Sequence, residues 1–433
     1  MSIKIKNILA VLPMDDDYAI KRTNIYIKDD LIVGIDSKPD DFIANKTIDG
    51  KERLLVPGFI NSHTHSYMSL FRNCADDLPF DDWLFKKILP LEEKLTGEDA
   101  YWGTLLSCLE MIQSGTTCFL DMHMFKDKIV RAACDSGMRA VISRGLTGSY
   151  SAGAIEDGGK LHDALDEMKN YHSANDDDRI TFFLAPHAIY SCDARYIKYI
   201  LDIASQFSLG IHIHISESKK EVSDCIEKYK QTPVEFLQKL GLFKHHTVAA
   251  HCVHLTDNDI NILTENHVNV ATNPISNMKL GNGFAPIPKL LKAGVNISLG
   301  TDSSASNNSL NMFRELSMIT LIHKGVNEDS MSISALDGFR FVTENGAKAL
   351  MLESCVGKIK VGMKADLVIL NINTPNFYPR NNLLSGLAYS ATGAEVESVM
   401  INGKIVMENN EIKSIDSERV YYQINRISQR LFK

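Results

Sequence analysis

No apolar run in this 433-residue sequence is long enough to span a membrane, and the first residues do not have the layout of a secretory signal. The eight cysteines are scattered without any C-x-x-C pair, which indicates reduced thiols and no disulfide framework. The net charge is −8, with both signs interspersed, so no basic surface for nucleic acid is expected. These absences predict a cytoplasmic protein with neither a membrane nor a nucleic acid as its partner.

Two motifs are also missing. No G-x-G-x-x-G turn occurs, which argues against a dinucleotide-binding open sheet. No P-C-x-x-C occurs, which excludes the zinc site of the cytidine deaminases. The composition that remains, 44% apolar and 23% charged, is that of an ordinary globular protein. At this length it predicts one large domain with a lesser module.

Short apolar or β-branched runs recur through the middle of the chain, with helix-like segments between most of them. There are eight, from LLVPGFINSHTH through TTCFLDM, MRAVISRGL, ITFFLAPHA, GIHIHISE, HTVAAHCVHL and VNVATNPIS to NISLGTDSSAS. Near-continuous apolar strands that alternate with helices are typical of buried parallel strands. Eight such units over about 250 residues predict an α/β fold of the (β/α)8 TIM-barrel type. A doubly wound open sheet is the alternative.

Both ends of the chain have a different pattern of short alternating strands and polar turns. IKIKNILAVL and TNIYIKDDLIVGIDS occur at the start, and VESVMINGKIVMENNEI near the end contains the hairpin-turn dipeptide Asn402-Gly403. We therefore expect a small composite β-sandwich domain formed by residues 1–56 and 356–433. Residues 57–355 are expected to form the catalytic barrel.

Polar residues that bind metals or move protons lie at the carboxyl ends of five predicted strands. They are His63, His65, His187, His212, His214, Glu217, His251, His254 and Asp302. His63 and His65 are two residues apart and therefore point to the same face of a strand. One such pair can arise by accident, but the carboxyl ends of barrel strands meet at a single face. Five strands that end in this way favour a metal site there.

These motifs resemble those of the amidohydrolase superfamily. The resemblance is carried by PGFINSHTH, by H-x-x-E at 214–217, by H-C-x-H at 251–254 and by GTDSSASNNSLNMF. Within the superfamily the chain is most similar to the deaminases of 5′-methylthioadenosine and S-adenosylhomocysteine. GKIKVGMKADLVIL resembles the strand by which those enzymes re-enter their small β domain. The resemblance implies a metal-dependent aminohydrolase that converts an adenine nucleoside into its inosine analogue and ammonia.

The family pattern implies that one divalent ion is bound by His63, His65, His214 and Asp302. Three imidazoles and a carboxylate suit Zn²⁺ with a position left for water, and Fe²⁺ and Mn²⁺ are the alternatives. His212 shares a strand face with His214, and only the H-x-x-E match selects His214. We interpret His212 as a barrel-interior residue one layer lower. A two-metal site is disfavoured because the fourth strand has no lysine to bridge two ions.

The same resemblance implies the catalytic residues. Glu217 shuttles protons to the purine ring, Asp302 takes a proton from the attacking water, and His251 hydrogen-bonds that water. Glu92 matches a carboxylate that accepts hydrogen bonds from the ribose 2′- and 3′-hydroxyls, and its alternative is an exposed helix residue. His187 matches a contact near the purine or the sugar.

Three further positions concern the substrate. Trp83 is expected either to line the pocket or to lie in the core. Arg144 matches a family arginine at the homocysteine carboxylate, and a second such arginine is replaced here by Lys160. A guanidinium binds a carboxylate through two parallel hydrogen bonds, whereas an ammonium acts as a point charge. This departure predicts weaker recognition of S-adenosylhomocysteine than of methylthioadenosine or adenosine.

Other functions stay open at this point. A guanine or cytosine deaminase, or a triazine hydrolase, would use the same scaffold and a similar metal centre. Glu92 discriminates against a free base, which has no ribose diol. A non-catalytic interaction protein of this family would have lost metal ligands, and none is missing here. The expected partner is a small nucleoside, and assembly into a homo-oligomer stays open. The Gly-rich NPISNMKLGNGFAPIP is predicted to close over the pocket.

Overall fold

The structure is a computed structural model that describes residues 1–14, 17–151, 153–175 and 177–432. Its strands, in chain order, are β1 Ser2–Met14, β2 Asp17–Lys28, β3 Leu31–Ile35, β4 Lys46–Asp49, β5 Arg53–Pro57, β6 Phe59–Thr64, β7 Thr116–His123, β8 Arg139–Leu146, β9 Ser149–Ser151, β10 Ala154–Glu156, β11 Ile180–Pro186, β12 Gly210–Ile215, β13 Thr247–His251, β14 Asn269–Thr272, β15 Asn296–Leu299, β16 Leu367–Asn371, β17 Val396–Ile401, β18 Lys404–Glu408 and β19 Glu411–Ile412.

The α-helices are α1 Leu89–Glu92, α2 Gly97–Gln113, α3 Lys128–Ser136, α4 Lys160–Ala174, α5 Ala194–Phe207, α6 Lys219–Tyr229, α7 Pro233–Leu240, α8 Asp257–Glu265, α9 Pro274–Lys279, α10 Ile287–Lys292, α11 Ser304–Asn307, α12 Met312–Val326, α13 Ala335–Phe341, α14 Glu344–Ala349, α15 Leu383–Tyr389 and α16 Ser417–Leu431. Tighter or wider helical turns occur at Ser66–Phe71, Asp82–Ile88, Leu242–Lys244 and Pro375–Phe377. None of the helices in the described ranges combines the length and the apolar character needed to cross a lipid bilayer.

Eight strands form the central barrel sheet, in the order β6-β7-β8-β11-β12-β13-β14-β15, and every ladder in it is parallel. Each of the eight predicted strands is present, and the predicted fold class is confirmed. Apolar side chains from six of these strands, among them Ile60, Leu120 and Val248, pack together with α14 as an interior core. At the carboxyl end, the first and last strands approach each other, since Asp302 N–H donates to the His63 carbonyl at 3.0 Å.

The first apolar run divides at Gly58 into two strands that belong to different sheets. Strand β5 ends at Pro57 in the terminal sheet, and β6 begins at Phe59 in the barrel. A Cβ atom at Gly58 would lie 2.0 Å from Thr117 Oγ1. Only glycine therefore fits where the chain passes from one sheet into the other.

The two ends of the chain share a nine-stranded mixed sheet, in the order β19-β18-β17-β16-β5-β1-β2-β3 with β4 beside β1. Strand β5 joins the two parts, because it pairs with β1 on one side and with β16 on the other. Ile5, Leu55 and Leu367 belong to one buried cluster drawn from both parts. The composite terminal domain is therefore confirmed, and its boundaries at 56 and 356 stay a prediction.

The C-terminal segment also covers the outside of the barrel. Helix α15 packs on α12 and α13, and α16 packs on α2. Inside, Arg139 at the start of β8 donates a hydrogen bond to Asp366 at 2.8 Å, and both side chains are fully buried. This ion pair connects the amino-terminal end of the barrel with the terminal sheet, at the end of the barrel opposite to the predicted site.

Candidate active site

The carboxyl ends of three barrel strands bring together the residues predicted to bind metal. His63 lies in β6 and His65 directly after it, His214 lies in β12, and Asp302 follows β15. Ligand atoms of His63, His65 and His214 lie within 4.8 Å of one another, and the same holds for His63, His251 and Asp302. The predicted ligands therefore meet at one face of the barrel, and His251 at the end of β13 lies beside them.

Backbone carbonyls orient two of these imidazoles. His65 Nδ1 lies 2.7 Å from the Met122 carbonyl oxygen, and His214 Nδ1 lies 2.9 Å from that of His187. A carbonyl oxygen only accepts hydrogen bonds, so both Nδ1 atoms carry the hydrogen. The lone pair of each neutral ring is therefore on Nε2, which is the atom that faces the cluster.

His63 is oriented through a chain of buried side chains. The Ser143 hydroxyl donates to the Asp121 carbonyl at 2.7 Å, so it accepts from His212 Nδ1 at 2.9 Å. His212 Nε2 then accepts from His63 Nδ1 at 2.8 Å. His63 Nε2 is left with a lone pair, and it is buried without a hydrogen-bond partner. The interior position expected for His212 thus has a consequence that spacing did not reveal, namely the orientation of His63.

The two carboxylate oxygens of Asp302 have different surroundings. Its Oδ2 accepts hydrogen bonds from the hydroxyls of Ser276 at 2.7 Å and Ser306 at 2.8 Å. Its Oδ1 lies 3.5 Å from His63 Nε2 and 3.4 Å from His65 Nε2. Asp302 itself has a φ of +57°, a conformation that few residues other than glycine adopt and that is concentrated at functional sites.

The donor set and its spacing fit a single divalent ion. Ligand atoms about 2.0–2.1 Å from a tetrahedral zinc lie about 3.4 Å from one another. Asp302 Oδ1 lies 3.5 Å from His63 Nε2 and 3.4 Å from His65 Nε2. Burial lowers the pKa of His63 to about 4, which keeps the ring neutral and its lone pair free. His63, His65, His214 and Asp302 are therefore candidate ligands of a metal ion.

His251 faces both the ion cluster and the acid of the H-x-x-E motif. Its Nδ1 donates to Asn277 Oδ1 at 2.8 Å, and its Nε2 lies 3.9 Å from Glu217 Oε2. Burial alone would lower the pKa of His251, but the carboxylates of Glu217 and Asp302 outweigh it and raise that pKa. The backbone of His251 also has a positive φ, +71°. This ring is placed to contact a molecule between the ion site and Glu217.

Glu217 is not a solvated loop residue, because its relative exposure is only 7%. Burial raises the pKa of its carboxyl group, which favours the protonated form that a general acid needs. One oxygen, Oε1, accepts a hydrogen bond from Asn282 Nδ2 at 3.1 Å. The other oxygen is the one that faces His251.

A cavity of about 750 Å³ opens beside this cluster, and three predicted substrate contacts line it. Glu92 ends α1 and accepts a hydrogen bond from the Tyr67 hydroxyl, and burial raises its pKa. His187 follows β11, and burial lowers its pKa to about 3, so the ring is neutral. Lys160 begins α4, and its Nζ donates to the Asp157 carbonyl at 3.1 Å. Apolar side chains form much of the remaining wall: Phe80, Leu84, Phe85, Leu89, Leu95, Met124 and Phe125.

Two other predicted contacts lie elsewhere. Arg144 pairs with Asp163 of α4 at 3.4 Å, while its Nε and Nη1 atoms are buried without a partner. Trp83 is 6% exposed and packs beside Phe80. Neither side chain is among those that line the cavity. The structure therefore favours the core position that the sequence left open for Trp83.

The Gly-rich segment after β14 supplies three contacts that the sequence did not reveal. Ser276 binds Asp302, Asn277 binds His251, and Asn282 binds Glu217. The prediction for this segment was a loop that closes over the pocket. The only available signal was its position after the seventh barrel strand, where loops of this fold reach the active-site face.

Comparison with known proteins places the chain among hydrolases. The profile of the Amidohydrolase family matches residues 54–406. A 5-methylthioadenosine/S-adenosylhomocysteine deaminase of Caldanaerobacter subterraneus subsp. tengcongensis is 46% identical over 433 residues, which are 100% of this chain and 99% of that protein. A 5′-deoxyadenosine deaminase of Methanocaldococcus jannaschii is 43% identical over 403 residues, which are 93% and 94% of the two chains. A solved adenosine deaminase from Xanthomonas campestris with bound zinc superimposes with a TM-score of 0.93 at 30% identity, and covers 99% of this chain and 98% of its own.

Proposed function

The chain belongs to the amidohydrolase family, and we propose that it deaminates a 5′-substituted adenine nucleoside such as 5′-methylthioadenosine, S-adenosylhomocysteine or adenosine. The products are the corresponding inosine analogue and ammonia. One observation carries this proposal: buried Glu217 lies 3.9 Å from His251 beside the His/Asp cluster, and its neighbours Ser218 and Glu221 line the cavity that Glu92 also lines. The names of the relatives, deaminases of methylthioadenosine, S-adenosylhomocysteine and 5′-deoxyadenosine, support the same substrate class.

We assign His63, His65, His214 and Asp302 to a divalent ion, most simply Zn²⁺, with Fe²⁺ or Mn²⁺ as alternatives. When bound, such an ion acts as a Lewis acid that lowers the pKa of a coordinated water to about 7. The chain contributes the orientation of its four donors, each fixed by a hydrogen bond on its other side.

The chemistry replaces the C6–N6 bond of adenine by a C6–O bond. A water oxygen bonds to C6, one water proton ends on N1, and the other leaves with the amino group as ammonia. Asp302 accepts a proton from water through Oδ1, the oxygen that it also offers to the ion, because Oδ2 already accepts hydrogen bonds from two serine hydroxyls. Glu217, whose pKa is raised by burial, delivers a proton to N1, so that negative charge does not accumulate on the ring. His251 Nε2 hydrogen-bonds the attacking water.

The lining of the cavity supports a nucleoside rather than a free base as the substrate. Glu92 offers a partly desolvated carboxylate to the ribose diol, and a carboxylate accepts two hydroxyl hydrogens without rearrangement. His187 lies on the same wall as a neutral ring next to His214. A guanine or cytosine deaminase would have no use for Glu92 at this position.

The test is an assay of the metal-loaded protein on a panel of methylthioadenosine, S-adenosylhomocysteine, adenosine, 5′-deoxyadenosine, guanine and cytosine. Ammonia release and the adenine-to-hypoxanthine absorbance change measure turnover. The expected result is that at least one adenine nucleoside exceeds both free bases in kcat/KM by 100-fold or more. Faster turnover of guanine or cytosine would overturn the assignment of Glu92 and of the substrate class.

A further inference from the structure

Glu217 is held from two sides, by a residue of helix α6 and by a residue of the loop after α9. Its peptide N–H donates to Glu221 Oε2 at 2.8 Å, and its own Oε1 accepts from Asn282 Nδ2 at 3.1 Å. Glu221 belongs to α6, which follows the fifth barrel strand, whereas Asn282 follows the seventh. Both side chains are more than nine-tenths buried. The position of Glu217 is therefore determined by contacts outside its own segment as well as within it.

Glu221 fixes the backbone at the end of β12. Its Oε1 accepts the Ser216 N–H at 2.9 Å while Oε2 accepts that of Glu217. Ser218 is the N-cap of α6, so Glu221 reaches past the cap to the two residues before it. Ser216 has a φ of +53°, which disfavours its L side chain. One buried carboxyl group accepts both hydrogen bonds and so stabilises this turn, which directs Glu217 towards the cavity.

The turn at Ser216 is also hydrogen-bonded to the segment that follows β13. The Ser216 carbonyl accepts hydrogen bonds from the N–H groups of Val253 at 3.1 Å and His254 at 3.0 Å. These residues come shortly after His251, whose φ is also positive. A substitution of Glu221 would therefore alter the positions of both Glu217 and His251, the two groups that face each other across the reaction site.

Asn282 determines which oxygen of Glu217 can carry a proton. An amide NH2 only donates, so Oε1 has to act as an acceptor in this contact. The proton of the neutral carboxyl group is then on Oε2, which lies 3.9 Å from His251 Nε2. Gly281 and Gly283, both with positive φ, flank Asn282 and bring its side chain back into the barrel face.

We propose that Glu221 and Asn282 are positioning residues for proton transfer, Glu221 by fixing the peptide of Glu217 and Asn282 by assigning the proton to Oε2. The inference rests on the proposed deaminase function of this site. A positioning role differs from a purely structural role in its effect on kinetics. Loss of either residue should lower kcat, while substrate binding and metal content stay close to those of the parent protein.

The experiment compares Asn282→Ala, Asn282→Asp and Glu221→Gln in the metal-loaded full chain, with Asn269→Ala as the matched control. Asn269 is an equally buried amide at the opposite end of the barrel, where it donates to the Thr247 carbonyl. General acid–base catalysis contributes about 10²–10⁴-fold, so we expect a loss of about 10–100-fold in kcat for the three test variants. Asn269→Ala should lower the melting temperature and leave kcat within about twofold.

A double-mutant cycle separates an action through Glu217 from a general disturbance. When Glu217→Gln is already present, adding Asn282→Ala should change the residual kcat by less than about twofold, because the group it positions is gone. Should the alanine variant not fold, the isosteric Asn282→Asp replaces it in both measurements. If the parent protein deaminates a nucleoside while all three variants keep its kcat, the inference is overturned alone. If the parent turns over no nucleoside, the proposed function is overturned and this inference with it.

Discussion

His212 Nε2 accepts a hydrogen bond from His63 Nδ1 at 2.8 Å, and this contact leaves His63 Nε2 pointing to the ion cluster. Replacing His212 by phenylalanine removes the acceptor and lets the His63 ring rotate. Loss of such an outer hydrogen bond typically weakens metal binding about 10–100-fold. We expect that loss in the zinc affinity of His212→Phe, measured by competition with a chelating indicator.

His212→Gln serves as the conservative variant, because its side-chain oxygen can still accept from His63. It should keep more of the zinc affinity than His212→Phe. His246 directly precedes β13, at the end opposite to the ion cluster, and its Nε2 donates to the Ala349 carbonyl of α14 at 2.8 Å. His246→Gln should therefore leave zinc affinity unchanged. Equal affinity in His212→Phe and the parent would show that His63 is oriented by packing alone.

Glu217→Gln tests the proton shuttle. Glutamine has nearly the same shape and keeps an oxygen for Asn282, but it cannot release and regain a proton. The variant should bind metal as the parent does and lose at least about 100-fold in kcat. Metal analysis and ammonia release measure the two effects. Retained turnover would mean that another group, with His251 the nearest, carries the proton.

Lys160→Ala tests recognition of the 5′-substituent. Lys160 is one of two lysines that line the cavity, and the other, Lys220, is already paired with Asp224 at 2.6 Å. The Lys160 ammonium group donates one hydrogen bond to the Asp157 carbonyl and has further hydrogens for a carboxylate, which S-adenosylhomocysteine has and methylthioadenosine does not. We expect kcat/KM for S-adenosylhomocysteine to fall about tenfold, with a change of less than twofold for methylthioadenosine.

Lys220→Ala is the matched control, and it should affect both substrates alike. Carboxylates of Asp81, Glu93, Glu221 and Asp224 also line this cavity, so it does not concentrate positive charge. The parent should for this reason prefer a neutral 5′-substituent. Equal losses on both substrates in Lys160→Ala would remove the lysine from the substrate site.

Glu92→Gln tests the contact with ribose. A charge-assisted hydrogen bond is worth about 1.5–3 kcal/mol, so kcat/KM for adenosine should fall about 10–100-fold. The 2′,3′-dideoxy analogue has no diol, and its already low kcat/KM should hardly change. Steady-state rates on the two substrates give the comparison. An equal fall on both would indicate that Glu92 acts through Tyr67 and the packing of the cavity wall.

Most of the correct predictions came from short local patterns of apolar and polar residues in the sequence. The strands of the barrel, the composite terminal domain and membership of the family are confirmed, and the residues at the strand ends meet as expected. The reason is physical: apolar strands are recognisable one by one, and a parallel barrel brings their carboxyl ends together whatever the loops do. His63 and His214, about 150 residues apart, are neighbours for this reason alone.

The partners of those residues could not be predicted in the same way. Ser276 and Asn277 lie in the short helix α9 and Asn282 in the loop after it, and polar residues in such connecting segments are usually solvated. Whether such a side chain turns inwards depends on the path of the loop, which in this case is set by α9 and the positive φ angles of Gly281 and Gly283. Trp83 could not be placed from the sequence for a different reason. A pocket wall and a core position both suit an apolar side chain, so the residue type does not distinguish them.

His323 allows a test of stability that is independent of the metal site. It lies in α12, is 3% exposed, and burial alone lowers its pKa from 6.5 to about 4. Above pH 6.5 the ring is neutral in both the folded and the unfolded state, so its protonation does not lower the free energy of unfolding. As the pH falls from about 6.5 to 4, the unfolded chain takes up a proton that the folded protein resists, so stability decreases over this range.

At pH 5 this difference amounts to about 2 kcal/mol, since each pKa unit corresponds to about 1.36 kcal/mol. His323→Gln has no titrating group at this position, so its free energy of unfolding should fall about 2 kcal/mol less than that of the parent between pH 7 and pH 5. Urea denaturation at both pH values measures this difference. The exposed His267 has a positive φ that asparagine tolerates, so His267→Asn is the control and should titrate like the parent. Parallel curves for the parent and His323→Gln would mean that the His323 ring reaches solvent when it is protonated.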